Sequence, residues 1–149
     1  MEKKYELIPS DIEGLFRIKA LRGFGDVEVG DVGGYVASEY NLSHDGDAWV
    51  SGYARVYEDA QVSGYARVYG NARVSELTTK TPTVISGLYY LVTITDNHLR
   101  AGCQCWTFEE WRSFDEAIIR RMDVGKAWDF YNETLIPLMD ALKLGVSHD

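Results

Sequence analysis

The sequence predicts a mainly β fold with α: a short hexapeptide-repeat β-helix in the first half, followed by a small β-hairpin plus helices. Three observations predict it. Five consecutive hexads run from Asp45: DGDAWV, SGYARV, YEDAQV, SGYARV and YGNARV. An apolar run at 88–95 ends at a turn pair, Asp96-Asn97, and is followed by a second extended segment. Beyond Trp106 the pattern changes to helix-start signals and helical periodicity. The division this implies is 1–76 for the cap and repeat and 77–149 for the hairpin and helices.

The repeat places Val at Val50, Val56, Val62, Val68 and Val74, and Ala at Ala48, Ala54, Ala60, Ala66 and Ala72. A helix cannot use a strict period of six, because the Val positions would rotate around its surface. A long flat strand cannot use it either, since Gly, Asp or Asn interrupts the hexads regularly. A short strand followed by a corner, repeated, fits the pattern. Val then points inward, Ala fits the narrow space near a corner, and Gly, Asn and Asp supply corner backbone. Such repeats are stable only when they stack and their ends are capped.

Before the repeat, Leu15, Phe16, Ile18, Ala20 and Leu21 predict a strand, and Gly23, Gly25, Gly30, Gly33 and Gly34 predict turns. Val32, Val36 and Leu42 partly anticipate the hexad spacing, as irregular opening rungs. After the repeat, 77–82 is a polar linker ending in Pro. The run 88–95 is a strand, and 98–106 a returning strand. Thr107-Phe108-Glu109-Glu110 and Ser113-Phe114-Asp115-Glu116 each read as a capping box opening a helix. A longer helix is expected over about 126–144, stopped by Gly145 and kinked or divided by Pro137.

Bulk properties narrow the function classes. A length of 149 residues suits one compact domain or two small ones. The net charge of −8 argues against direct binding to a nucleic-acid backbone, which needs clustered Lys and Arg. It leaves open a basic partner or mimicry of nucleic acid, beside the plain role of keeping the chain in solution. The N-terminus, Met1-Glu2-Lys3-Lys4-Tyr5, has no apolar signal core, and no run reaches the length of a membrane span. A soluble, cytoplasmic protein with no membrane contact and no cofactor is expected.

Candidate chemistry is thin. His98, Cys103 and Cys105 are weak candidates for a metal site, because zinc takes four N or S ligands, or three and water, and beyond the C-x-C at Cys103 and Cys105 no further cysteine exists. Buried thiols in a hairpin are the simpler reading. Cys103 or Cys105 as nucleophile with His98 as base would need an orienting carboxylate, for which only Asp96 is at hand. The outward hexad positions carry Trp49, Tyr53, Arg55, Tyr57, Tyr65, Arg67, Tyr69 and Arg73. Tyr, Trp and Arg are hot-spot residues, which makes this a candidate binding surface; Tyr also simply covers β surfaces well. Trp111, Trp128, Phe130 and Tyr131 are candidate oligomer contacts, unless the helices pack on the end of the repeat.

The hexads resemble the left-handed β-helix family, in which three hexads make one triangular coil. That resemblance implies stacking of residues eighteen apart: Val50 on Val68, Val56 on Val74, Arg55 on Arg73 and Tyr53 on Asn71. Five hexads make fewer than two coils, so the flanks or other subunits must help. The opening is more specific. Gly25-Asp26-Val27, Gly33-Gly34-Tyr35, Asn41-Leu42-Ser43 and Gly46-Asp47-Ala48-Trp49-Val50 resemble the opening of phage, prophage and bacterial hexapeptide-repeat proteins, over about residues 5–75. The T-D-x-H, G-C-x, E-x-W and M-D pieces of the second half also look like a tail of phage proteins.

The resemblance implies a non-enzymatic binding protein acting in the host bacterial cytoplasm. It implies a homo-oligomer, a trimer first, with a dimer through the helices second; the phage setting together with the acidic, interface-rich composition points to a host protein as partner, such as an antiviral-defence component to be inhibited. Two other classes stand beside it. Left-handed β-helix acyltransferases use an interfacial His as general base, and His44 lies next to Asp45 and Asp47. It precedes the hexads, however, and the chain lacks the further coils and loop that hold an acyl carrier. The remaining class is structural, with end-to-end polymerisation through exposed strand edges.

Overall fold

The computed structural model describes residues 3–146; the ends of the two expected regions, 1–2 and 147–149, lie outside them. The chain opens with three antiparallel strands, β1 (Tyr5–Pro9), β2 (Phe16–Ala20) and β3 (Val32–Val36). A 3-10 turn at Glu39–Asn41 leads into the hexads, which contribute four strands of two residues each: β4 (Trp49–Val50), β5 (Arg55–Val56), β6 (Arg67–Val68) and β7 (Arg73–Val74). The second half holds β8 (Thr83–Ile85), β9 (Val92–Ile94), β10 (His98–Ala101) and β11 (Gln104–Thr107). Helices α1 (Phe108–Ser113), α2 (Glu116–Met122), α3 (Ala127–Phe130) and α4 (Ile136–Ala141) complete it, with a π-helical stretch, Tyr131–Leu135, between α3 and α4.

These strands form several small sheets of mixed direction, and the expected left-handed hexapeptide-repeat β-helix is not seen. One sheet has the order β1-β2-β3-β5-β7, a second β11-β10-β9-β8, and a third only β4-β6. The physical reason lies in the brevity of the repeat and the strength of its flanks. Parallel pairs do join residues eighteen apart, Val50 with Val68 and Val56 with Val74. Each such pair is two residues long, and the largest sheet draws three of its five strands from outside the hexads. The second sheet is antiparallel throughout.

The hexad chemistry still dictates local structure. The Val and Ala positions are all fully buried and form one apolar cluster with Tyr5, Ile18, Val36 and Leu42. Position two of the hexad has positive φ throughout: Gly46, Gly52, Gly64 and Gly70 lie between 65° and 72°, and Glu58 at 53°. A side chain in this region crowds the following carbonyl, at a cost of about 1–2 kcal/mol. Glu58→Gly is therefore expected to raise stability by about 1 kcal/mol, read as an increase in the urea midpoint at constant slope. A lower midpoint would show that the Glu58 side chain earns more than its backbone loses.

Several predicted boundaries are corrected. Gly33 and Gly34 do not make a turn; they lie inside β3, where two residues face Ile18 and the register with β2 shifts. The expected strand 98–106 is broken at Gly102, whose φ of +58° turns β10 back into β11. The capping box at Thr107 and Glu110 opens α1. For α2 the cap is Asp115, whose carboxylate accepts from Ile118 N; the proposed box at Ser113 lies two residues too early. The last helix stops before Gly145. Lys143, at φ +57°, ends it through bonds from Lys143 N to Asp140 O and Leu144 N to Met139 O. Ahead of Pro137, the π-helical stretch absorbs the lost amide.

Sheet β8–β11 is two-faced. Val92, Ile94, Leu99 and Ala101 pack into a second apolar cluster with the helices, around Trp111, Ile119, Leu135 and Met139. The opposite face presents Val84, Thr93, Arg100 and Cys105 in register, and Val84 packs on the hexad cluster. That face positions the main cleft. No helix among the described residues is long and apolar enough to cross a membrane.

Candidate functional site

A cleft of about 740 Å³ lies between the last hexads and the β10–β11 hairpin. Tyr57, Glu58, Arg73, Ser75 and Glu76 line one side, and His98, Arg100, Cys103, Gln104 and Cys105 the other. Arg100 is 8% exposed, an unusual position for a guanidinium. Its Nη2 donates to Ser75 Oγ at 2.7 Å and its Nη1 to the Cys103 carbonyl at 3.4 Å. The guanidinium carbon lies 5.7 Å from the centre of the Tyr57 ring. Its Nε is buried without a partner.

Glu76 is the opposing charge, and its oxygens are occupied. Oε1 accepts from Thr95 Oγ1 at 2.6 Å; Oε2 accepts from Ser75 N at 3.0 Å, Ser75 Oγ at 2.9 Å and Cys105 Sγ at 3.6 Å. Ser75 thus receives Arg100 and donates to Glu76, tying hexad end to hairpin. Burial first, and the Glu76 carboxylate second, push the Cys105 thiol up to about 11. A thiol held neutral in this way is a poor nucleophile. Cys103 is exposed at the rim. Although His98, Cys103 and Cys105 all line the cleft, no group of three His, Cys, Asp or Glu among the described residues is arranged to hold a metal ion.

His44 sits far along the chain from this cleft, stacked on Tyr5 with ring centres 4.2 Å apart. Its Nδ1 accepts from Lys4 N at 3.1 Å, and its Nε2 lies 3.4 Å from Glu39 Oε1. Both ring nitrogens are engaged by the chain itself, which gives His44 a packing and bridging role. Beside it, Lys4 is buried and donates to the carbonyls of Ala48 at 2.6 Å and Gly46 at 3.4 Å. Burial, with the nearby Arg22 charge, lowers its pKa to about 8.

The eight outward hexad residues separate into different environments. Trp49 is buried, covered by Phe24 at 5.2 Å between ring centres, and Arg67 pairs with Asp26 of the same covering loop. Tyr57 and Arg73 line the cleft. Tyr53, Tyr65 and Tyr69 are exposed. Arg55 joins a row that crosses the largest sheet: Arg17 opposite Tyr35, Tyr35 opposite Arg55, and Arg55 opposite Arg73. Arg17 covers the Tyr35 ring, its guanidinium carbon 5.2 Å from the centroid. Lys19, two residues on from Arg17, is exposed on the same strand face. In the second half, Trp111, Phe130 and Tyr131 are core residues of the chain itself, and of the four expected oligomer contacts only Trp128 is half-buried.

Arg17, Tyr35, Arg100 and Glu76 are the functional candidates that sequence reasoning missed. A signal existed for two of them. Arg17 and Lys19 alternate with buried Ile18 and Ala20, and Arg100 alternates with buried Leu99 and Ala101. Period-two alternation of cations with apolar residues marks a strand whose second face is used. Comparison with known proteins gives no match, either to a protein-family model or to a curated relative.

Proposed function

We propose that the chain is a non-enzymatic binding protein of phage or prophage type that acts in the host cytoplasm and meets an acidic partner protein. The observation that supports this reading is a clustering of cations. On a chain of net charge −8, Arg17, Lys19, Arg55 and Arg73 share one face of the five-stranded sheet with Tyr35, against the carboxylates of Glu6 opposite Lys19 and Asp11 on the Tyr35 hydroxyl. Adjacent strands lie about 4.8 Å apart, so the row offers cations at regular short steps. Arg is the residue best suited to bidentate carboxylate pairing, and complementary charge sets both partner choice and on-rate. The partner we favour is a host protein, such as an antiviral-defence component, met by a homo-oligomer of this chain, a trimer before a dimer.

A tagged pull-down from a phage-susceptible bacterial lysate tests the reading, with particle mass taken on the same sample by light scattering. One stoichiometric acidic protein should be retained at low salt, released as salt rises, and lost in the Arg17→Glu/Arg55→Glu variant. Equal retention by that variant, or a clean particle with nothing bound, removes the proposal.

A further inference from the structure

We infer that the cleft between the hexad end and the β10–β11 hairpin is a binding site for a small ligand bearing an oxyanion, a carboxylate or a phosphate. This site meets the partner face at Arg73, but it is argued from Arg100 and stands or falls without the partner. Its volume of about 740 Å³ lies within the range of small-molecule sites. Two guanidiniums enter it from different parts of the chain, Arg73 from β7 and Arg100 from β10. Among the described residues, neither makes an ion pair with a carboxylate.

Arg100 carries the inference. Burying a charge without a countercharge in contact is costly, and leaving one of its donors unpartnered adds to the cost. Arg100 is 8% exposed and its Nε has no partner. The carboxylate nearest along the network, Glu76, makes no ion pair with it, and its oxygens accept instead from Thr95, Ser75 and Cys105. Ser75 Oγ stands between them, accepting from Arg100 and donating to Glu76. Glu76 thus orients Arg100 through Ser75, and the guanidinium keeps no carboxylate in direct contact. Tyr57 supplies a flat wall beside the guanidinium, and His98 lines the same cleft. Glu58 and Glu76 also line it and oppose a second anionic group, which favours a ligand with one anionic end.

The test uses the full chain and the exposed thiol of Cys103, which lines the cleft. Its alkylation by iodoacetamide is followed by peptide mass, with inorganic phosphate in one series and succinate in the other. Cys105 serves as internal reference: a thiol pushed up to about 11 reacts on the order of a hundredfold more slowly at pH 8 than an ordinary one. At least one anion should slow Cys103 several-fold in a saturable manner, with no effect of matched chloride. The series that saturates distinguishes phosphate from carboxylate. Arg73→Gln, a change at an exposed position that should fold, must weaken the protection at least tenfold, and Arg100→Lys must do the same wherever it folds. Rates indifferent to both anions, or protection unchanged in Arg73→Gln, overturn the site.

Discussion

Replacing Asn41 by Leu is expected to lower stability by about 2 kcal/mol, taking about 1–3 kcal/mol for the one buried backbone group left unpaired. Asn41 is fully buried, and all of its side-chain hydrogen-bonding capacity is used. Oδ1 accepts from Ala37 N and Ser38 N, both at 3.0 Å; Nδ2 donates to Ala60 O at 2.9 Å and Glu58 O at 3.2 Å. Ala37 N has a second acceptor in Val56 O, and Glu58 is exposed enough for water to replace the bond. Ser38 is exposed as well, so Ala60 O, in the buried bond, is the group that Leu would strand. Asn41→Asp makes a sharper test. It keeps the acceptor half but turns a carboxylate toward two carbonyls. Burial raises the folded-state pKa of such a carboxyl, so the variant should be least stable at neutral pH and recover as pH falls toward 4, where the acid can donate. Urea denaturation of wild type and both variants at pH 4.5 and 7.5 reads this directly. A loss below about 1 kcal/mol for Leu, the size of an ordinary surface change, would remove Asn41 from its bridging role.

Asn41 also shows what kind of information the sequence carried. The Asn41-Leu42-Ser43 motif was legible as a motif, and the structure supplies its physics. Asn41 wires the 3-10 turn to the third hexad, Leu42 joins the Val core opposite Val62, and Ser43 Oγ caps the turn at Asp45. The inward Val and Ala positions were legible because a period of six with buried β-branched residues has few solutions. The architecture built from them was not. Two-residue strands carry too little pairing to dictate a sheet, so the flanking strands decide it, and β1 has no repeat or turn signal to announce it. The partition of outward residues was equally illegible. Trp49 and Arg55 hold the same fifth position of the hexad, yet a loop bearing Phe24 and Asp26 closes over Trp49 and leaves Arg55 half-buried on the largest sheet. The cleft depends on which face of the hairpin meets the hexad end, a long-range choice that local spacing does not encode.

The same lesson applies to Gly33, read from sequence as a turn residue and found in the middle of a strand. Gly33→Ala is expected to cost about 3 kcal/mol, at the upper end of ordinary overpacking, and to lower Tm by about 10 °C for a chain of this size. No unusual φ is involved; close approach is. A Cβ at Gly33 would stand 2.4 Å from the Val50 carbonyl oxygen and 2.7 Å from Ile18 Cγ1. Ile18 can change rotamer, but the Val50 carbonyl is backbone between β4 and its turn and cannot move alone. Gly33 and Gly34 face Ile18 together, in the step where the β2–β3 register shifts, and the free Gly33 carbonyl is taken by Arg17 Nε at 3.0 Å and Nη2 at 2.8 Å. The bulge therefore aims Arg17 across the sheet at Tyr35, so damage here should spread to the basic row. Gly23→Ala is the control, since its Cβ would meet only Val27 O at 3.5 Å, an ordinary contact. Thermal melts of the two variants should differ by most of the predicted 10 °C. Equal melts would mean that β3 can shift away from β4, and that the five-stranded sheet is held less tightly than its geometry implies.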